Sequence, residues 1–181
     1  MLFPTPASGF DDPLGVLAGC HRRIAGFCDT LERLESHLKS AGADTQAGDA
    51  ARRIYDYFEK AGPQHHADEE VDLLPMLQRR ARSEAERAAV ADWEARTGTE
   101  HLAQDKAWRR LREELLAVME GRGAAVPSAA EFVALQREHF RFEDMEVFPL
   151  ARDLLTDADL AALGRAMARR RGVERSQDRV T

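Results

Sequence analysis

Cysteine is almost missing from this chain: Cys20 and Cys28 are the two present in 181 residues. They fall on one expected helix, where their eight-residue separation spans about 12 Å, beyond the reach of a disulfide. No run of apolar residues approaches the roughly 20 needed to cross a bilayer. The start, Met1-Leu2-Phe3-Pro4, also lacks the basic opening and long apolar stretch of a secretory leader. A reduced, cytoplasmic protein without a membrane partner is therefore expected. β-Branched residues are scarce beside Ala, Leu, Arg and Glu, which leaves a helical composition. A basic excess is lacking too. With 26 Lys and Arg against 32 Asp and Glu, the net charge is −6, so nucleic acid is not an expected partner. The length suits one domain with a substantial core.

The apolar periodicity and its punctuation predict an all-α fold: an antiparallel up-down-up-down four-helix bundle with a short extra C-terminal helix. Residues 1–10 read as an arm, 11–170 as the bundle and 171–181 as a flexible tail. Asp12-Pro13 caps helix 1, whose stripe runs Leu14, Leu17, His21, Ile24, Cys28, Leu31 and Leu38 to a stop at Gly42. Helix 2 starts near Asp44, with Ile54, Phe58, Ala61, His65, Glu69, Leu73 and Met76 on its stripe. Gly62-Pro63 should kink or break it just before His65. Ser83 with Glu86 reads as a capping box for helix 3. This helix carries His101, Trp108, Leu111, Leu115 and Val118, is interruptible at Thr97-Gly98-Thr99, and stops at Gly121 and Gly123. Ser128 with Glu131 reads as a second capping box, opening helix 4 through Phe132, Leu135, His139, Glu143, Leu150 and Leu154. Thr156 with Asp159 starts the short last helix, and Arg169-Arg170-Arg171 reads as its solvated basic end.

One pattern occurs twice: His65, Glu69 and Pro75, then His139, Glu143 and Pro149. Residues four apart stack on one helical face, so each copy aims an imidazole and a carboxylate the same way. That spacing also makes weak ion pairs on exposed helices. Here, however, His21, His65, His101 and His139 occupy the core stripe of four different helices, together with Glu69 and Glu143. Burying six such groups in a dry core without a cation would be very costly, and metal ions resolve the cost together. The expected metal residues are thus His21, His65, Glu69, His101, His139 and Glu143.

Around them, Glu70 has three open roles: orienting a ligand, binding metal, or sitting in solvent. Asp105 is one turn after His101 and is a candidate extra ligand. His66 points about 100° from His65, which leaves a place behind the ligands or at the surface, the surface being preferred. His37 is assigned to solvent, Asp68 and Glu146 to positions that do not touch metal, and Cys20 to a small buried thiol. Tyr55 and Tyr57 carry no assigned task. Imidazole with carboxylate suits iron or manganese, whereas structural zinc more often uses thiolates. Two iron ions are the expected cofactor, with Mn or Zn as substitutes in a recombinant sample. His-first order at a spacing of four also separates this pattern from the Glu-x-x-His of ferritin-like bundles.

The chain resembles the hemerythrin-like family, the HHE cation-binding domain. The resemblance is carried by Cys20-His21-Arg22-Arg23-Ile24, by His65-His66-Ala67-Asp68-Glu69-Glu70 through Leu74-Pro75, by Glu100-His101, and by His139 through Glu143 to Pro149. It extends over about residues 11–160 and implies a four-helix bundle with a non-haem di-iron centre. Within that pattern His65, Glu69, His139 and Glu143 are ligands, the two glutamates bridge, and His21 and His101 complete the set. Oxygen-carrying members place a second histidine where this chain has Asp105, and a His-x-x-x-x-Asp where it has His139-x-x-x-Glu143. The set of four histidines and two glutamates is more similar to branches that repair iron clusters or sense iron and redox state. Repair members usually carry a further N-terminal cysteine-bearing domain, for which this sequence has no room.

The leading expectation is therefore a centre that binds or reacts with oxygen, nitric oxide or peroxide, such a small molecule being the expected partner. The alternative is an iron sensor or store without turnover. Whether the chain is an enzyme stays open. Phe3 and Phe10 on the arm leave two options, covering a bundle end or making a homodimer contact.

Overall fold

Asp12 and Pro13 open the first helix as their chemistry directs. The Asp12 carboxylate accepts from the Gly15 N–H at 2.9 Å, and Pro13 occupies the first turn, where a missing N–H costs nothing. The structure, a computed structural model, describes residues 9–173. Helix α1 runs Pro13–Ala41 and stops at Gly42, whose φ of 76° is the left-handed conformation that glycine tolerates. Asp44 caps α2, Thr45–Ala67, by accepting from the Ala47 N–H at 2.8 Å. A π-helical turn, Asp68–Leu73, continues directly into α3, Leu74–Arg80. The Ser83–Glu86 capping box starts α4, Glu84–Met119. Helix α5, Ala129–Phe142, passes through a second π turn, Glu143–Val147, into α6, Phe148–Leu154. A Thr156–Asp159 capping box begins α7, Asp157–Arg170. The expected arm residue Phe3 and tail residues 174–181 lie outside the described residues.

Helix α1 packs on α2 and α5, α4 packs on the same two, and α7 leans on α1 and the first π turn. The four rods thus close a ring around one core, an all-helical bundle. That core is cut in two by a polar layer. On one side lie Ile24, Leu31, Phe58, Ala107, Leu111 and Phe132. On the other lie Leu17, Leu73, Leu77, Val90, Phe148 and Met167. His21, His65, His101 and His139 sit between the halves, each buried.

Several local expectations are corrected. Helix α2 runs on through Gly62-Pro63 without a break; the irregular backbone comes after His65, in the π turn. Helix α4 is continuous across Thr97-Gly98-Thr99, because packing on both sides outweighs the weak propensities of three residues. Ser128 makes no cap to its own helix; its N–H and hydroxyl instead donate to Glu114, at 3.0 and 2.6 Å. Beyond each π turn the buried stripe moves on by one residue. Leu74 and Leu77 are buried rather than Met76, and Ala151 rather than Leu150. One extra residue per turn rotates the following helix by about 100° relative to an uninterrupted α-helix. Arg170 and Arg171 do not form a solvated end but pair with buried Asp68.

Candidate metal centre

The two π turns place the carboxylates. In the first, the Leu74 N–H donates to the Glu69 carbonyl, and in the second the Phe148 N–H donates to the Glu143 carbonyl. Both bonds span five residues rather than four. The following residue is proline each time, Pro75 and Pro149, which has no N–H to compete for the α-helical register. Residues Glu69 and Glu143 are thereby brought to full burial in the polar layer.

Six side chains converge there. His21 Nε2 lies 3.1 Å from His65 Nε2, and His101 Nε2 lies 3.0 Å from His139 Nε2. Glu69 stands between the pairs, with Oε1 3.1 Å from His65 Nε2 and Oε2 3.4 Å from His101 Nε2. Glu143 turns Oε2 to both, 3.3 Å from His21 Nε2 and 3.6 Å from His139 Nε2. Two overlapping donor groups result: His21, His65, Glu69 and Glu143, and Glu69, His101 and His139. In each group the donor atoms lie within 4.8 Å of one another. All six residues expected from the sequence come together.

The outer nitrogens determine what the inner ones can do. His101 Nδ1 donates to Glu70 at 2.6 Å, His139 Nδ1 to Glu100 at 2.7 Å, and His21 Nδ1 to Asp144 at 2.9 Å. A neutral imidazole that donates from Nδ1 has only a lone pair on Nε2. With both rings neutral, the His101 and His139 lone pairs would point at each other across 3.0 Å, a contact that needs a proton or a metal cation between the two nitrogens. Among the described residues, none donates a hydrogen bond of normal geometry to the four Glu69 and Glu143 oxygens. Such orphaned atoms, with carboxylate-held imidazoles facing them, fit a metal-binding donor set.

The electrostatics of these side chains agree. Burial and the neighbouring Glu69 carboxylate push Glu143 up to about 7. Burial also works against charge on Glu69, yet His65, His101 and His21 hold it well below the usual carboxylate range. Burial opposes a charge on His21, but the close carboxylates of Asp144, Glu143 and Glu69 carry it up to about 11. Glu69 thus stays ionised while Glu143 is pushed toward its protonated form, and divalent cations would favour ionisation of both.

The surrounding assignments divide. Glu70 takes the orienting role, through His101. Asp105 lies 3.6 Å from His66 Nδ1 and falls in neither donor group. His66 is not a surface residue: it stacks on His101 with ring centroids 3.7 Å apart and bonds Gln104 through Nε2 at 3.0 Å. Burial lowers its pKa to about 4, so it is a neutral aromatic wall. His37 pairs with Asp44 at 3.0 Å near the surface. Cys20 is half-buried, and Tyr57 stacks on Phe27, both partly buried at the edge of the core. Sequence reasoning missed Glu100 and Asp144 as orienting groups. The available signal was position: Asp144 follows Glu143 as Glu70 follows Glu69, and Glu100 directly precedes His101.

Comparison with known proteins agrees with this geometry. The chain is 25% identical over 176 residues to an uncharacterized protein of Haemophilus influenzae, covering 96% of this chain and 98% of that one. Among the described residues no helix is long and apolar enough to cross a membrane. Residues 12–151, which run from α1 into α6 and include all six converging side chains, match the hemerythrin HHE cation binding domain, and the chain belongs to that family.

Proposed function

We propose that this chain holds two iron ions. One would bind His21 and His65, the other His101 and His139, with Glu69 and Glu143 shared between them. The observation that carries this reading is the pair of close Nε2–Nε2 contacts on either side of Glu69, whose two oxygens face different histidine pairs. Donors of nitrogen and oxygen without sulfur suit iron or manganese. Iron bound there would supply a redox-active centre for oxygen, nitric oxide or peroxide.

The protein's own contribution is orientation. Glu70, Glu100 and Asp144 fix three imidazoles with Nε2 inward, and Phe148 stacks on His21 with centroids 5.1 Å apart. His66 walls the His101 side and Phe140 the His21 side, which keeps the pocket apolar around its donors. We read the rods as alternating up and down, because only short connections join α1 to α2 and α3 to α4.

Elemental analysis of protein loaded with iron and freed of excess, together with its visible spectrum, tests the proposal. About two irons per chain are expected, with an absorption band that shifts on exposure to oxygen or nitric oxide. Two irons with a spectrum unmoved by either would favour sensing or storage, and a chain that takes up no metal would overturn the reading.

A further inference from the structure

Asp68 immediately precedes Glu69, and its side chain is fully buried although it belongs to neither donor group. Two guanidiniums from the end of α7 enclose it. Arg171 Nη2 lies 2.5 Å from Oδ2 and Arg171 Nη1 3.1 Å from Oδ1, while Arg170 Nη1 meets the same Oδ1. Arg170 also reaches Asp72 Oδ2 at 2.6 Å. One arginine therefore grips two residues of the π turn that carries Glu69. A carboxylate this deep persists only with charged, multiply hydrogen-bonded partners.

Helix α7 is itself held firmly. Leu163 and Met167 are buried in the core half next to the site. The backbone of Phe10 crosses so close that a Cβ on Gly164 would collide with the Phe10 carbonyl oxygen. The Arg171 guanidinium sits 5.9 Å from the Phe10 ring centroid. The helix lies beyond residue 151, where the family match ends. Among the described residues the second repeat has no such grip: Phe142, which precedes Glu143, lies under the Arg96 guanidinium at 3.8 Å.

We infer that α7 is a latch that positions Glu69: through Asp68, Arg170 and Arg171 hold the first π turn in the shape that keeps metal at the centre. The consequence for metal rests on the proposed role of Glu69. π turns are rare single-turn insertions in α-helices, and in the first repeat the Arg170–Arg171 clamp is an added outside hold on this one.

The test compares Asp68→Asn with Leu111→Ala, a core truncation in the far half that leaves the latch intact. In iron-loaded full-length protein, Asp68→Asn is expected to release iron to excess chelator at least ~10-fold faster, the scale of a lost outer partner. Leu111→Ala should lower the melting temperature without changing that rate. Release unchanged in Asp68→Asn, or accelerated equally in both variants, would overturn the latch. Hydrogen exchange on the metal-free proteins reads the same question without iron. Asp68→Asn should speed exchange of the amides of residues 69–74 and leave 143–148 as in the wild type, whereas equal change in both segments would overturn the inference. Arg171→Gln keeps Arg170 on Asp68 and should act in the same direction if Asp68→Asn does not fold. A wild type that takes up no iron would sink the functional proposal, and the exchange comparison would still decide the latch.

Discussion

The two His-x-x-x-Glu repeats share a frame but differ in finish. Each ends in a π turn whose carboxyl-side N–H reaches back five residues to the glutamate carbonyl, and each is followed by proline. Each also sends the acid after its glutamate across the centre: Glu70 to His101 and Asp144 to His21. The neighbours differ. Where the first repeat has His66, Asp68 and Leu74, the second has Phe140, Phe142 and Phe148. Glu69 faces the two histidine pairs with separate oxygens, while Glu143 offers Oε2 to both. His139 Nδ1 is held by Glu100, whereas His65 Nδ1 has no partner among the described residues. Spacing thus sets a common donor geometry, and the residues between the donors make the two halves unequal.

Truncating each glutamate in turn breaks the comparison most directly. Glu69→Ala is expected to remove an oxygen from both sites at once and to abolish binding of both metals, beyond the roughly 10–100-fold cost of an outer partner. Glu143→Ala should weaken the pair less and leave partial occupancy. Metal titration followed by elemental analysis checks this. Equal loss in both variants would mean that the two carboxylates act alike once metal is bound.

The crossed acids come next. Glu70→Gln should weaken the His101–His139 site and Asp144→Asn the His21–His65 site, each by about 10-fold, because the amide still accepts but no longer carries charge. Stepwise metal titration of the two variants separates the sites. If both variants lose the same metal first, the crossing has no energetic consequence.

Much of this was legible in the sequence, for stated reasons. The six converging residues and the helical stripes follow from periodicity, which packing preserves. Gly42, the Asp12 and Asp44 caps and the Ser83 box follow from local chemistry, which acts over a few residues. The π turns were not legible, although the prolines that accompany them were. An unbroken α-helical count puts Met76 and Leu150 in the core, and the extra residue in each turn delivers Leu77 and Ala151 instead. The Asp68–Arg171 pair was hidden for a different reason: it joins residues about a hundred positions apart, and a basic helix end reads the same whether it meets water or a buried acid.

His66 offers the mildest test, since substitution by phenylalanine gives the first repeat the residue that the second has at Phe140. The ring stacks on His101 and is neutral at pH 7, so His66→Phe retains an aromatic wall of similar shape. The amide oxygen of buried Gln104 then loses its hydrogen bond from His66 Nε2, at a cost of about 1–3 kcal/mol. Metal content should stay at the wild-type value while the melting temperature drops by a few degrees. Thermal unfolding paired with metal analysis gives both readouts. A loss of one metal in His66→Phe would make His66 a ligand to the His101–His139 site, and the two repeats would then differ in their metal ligands as well as in their surroundings.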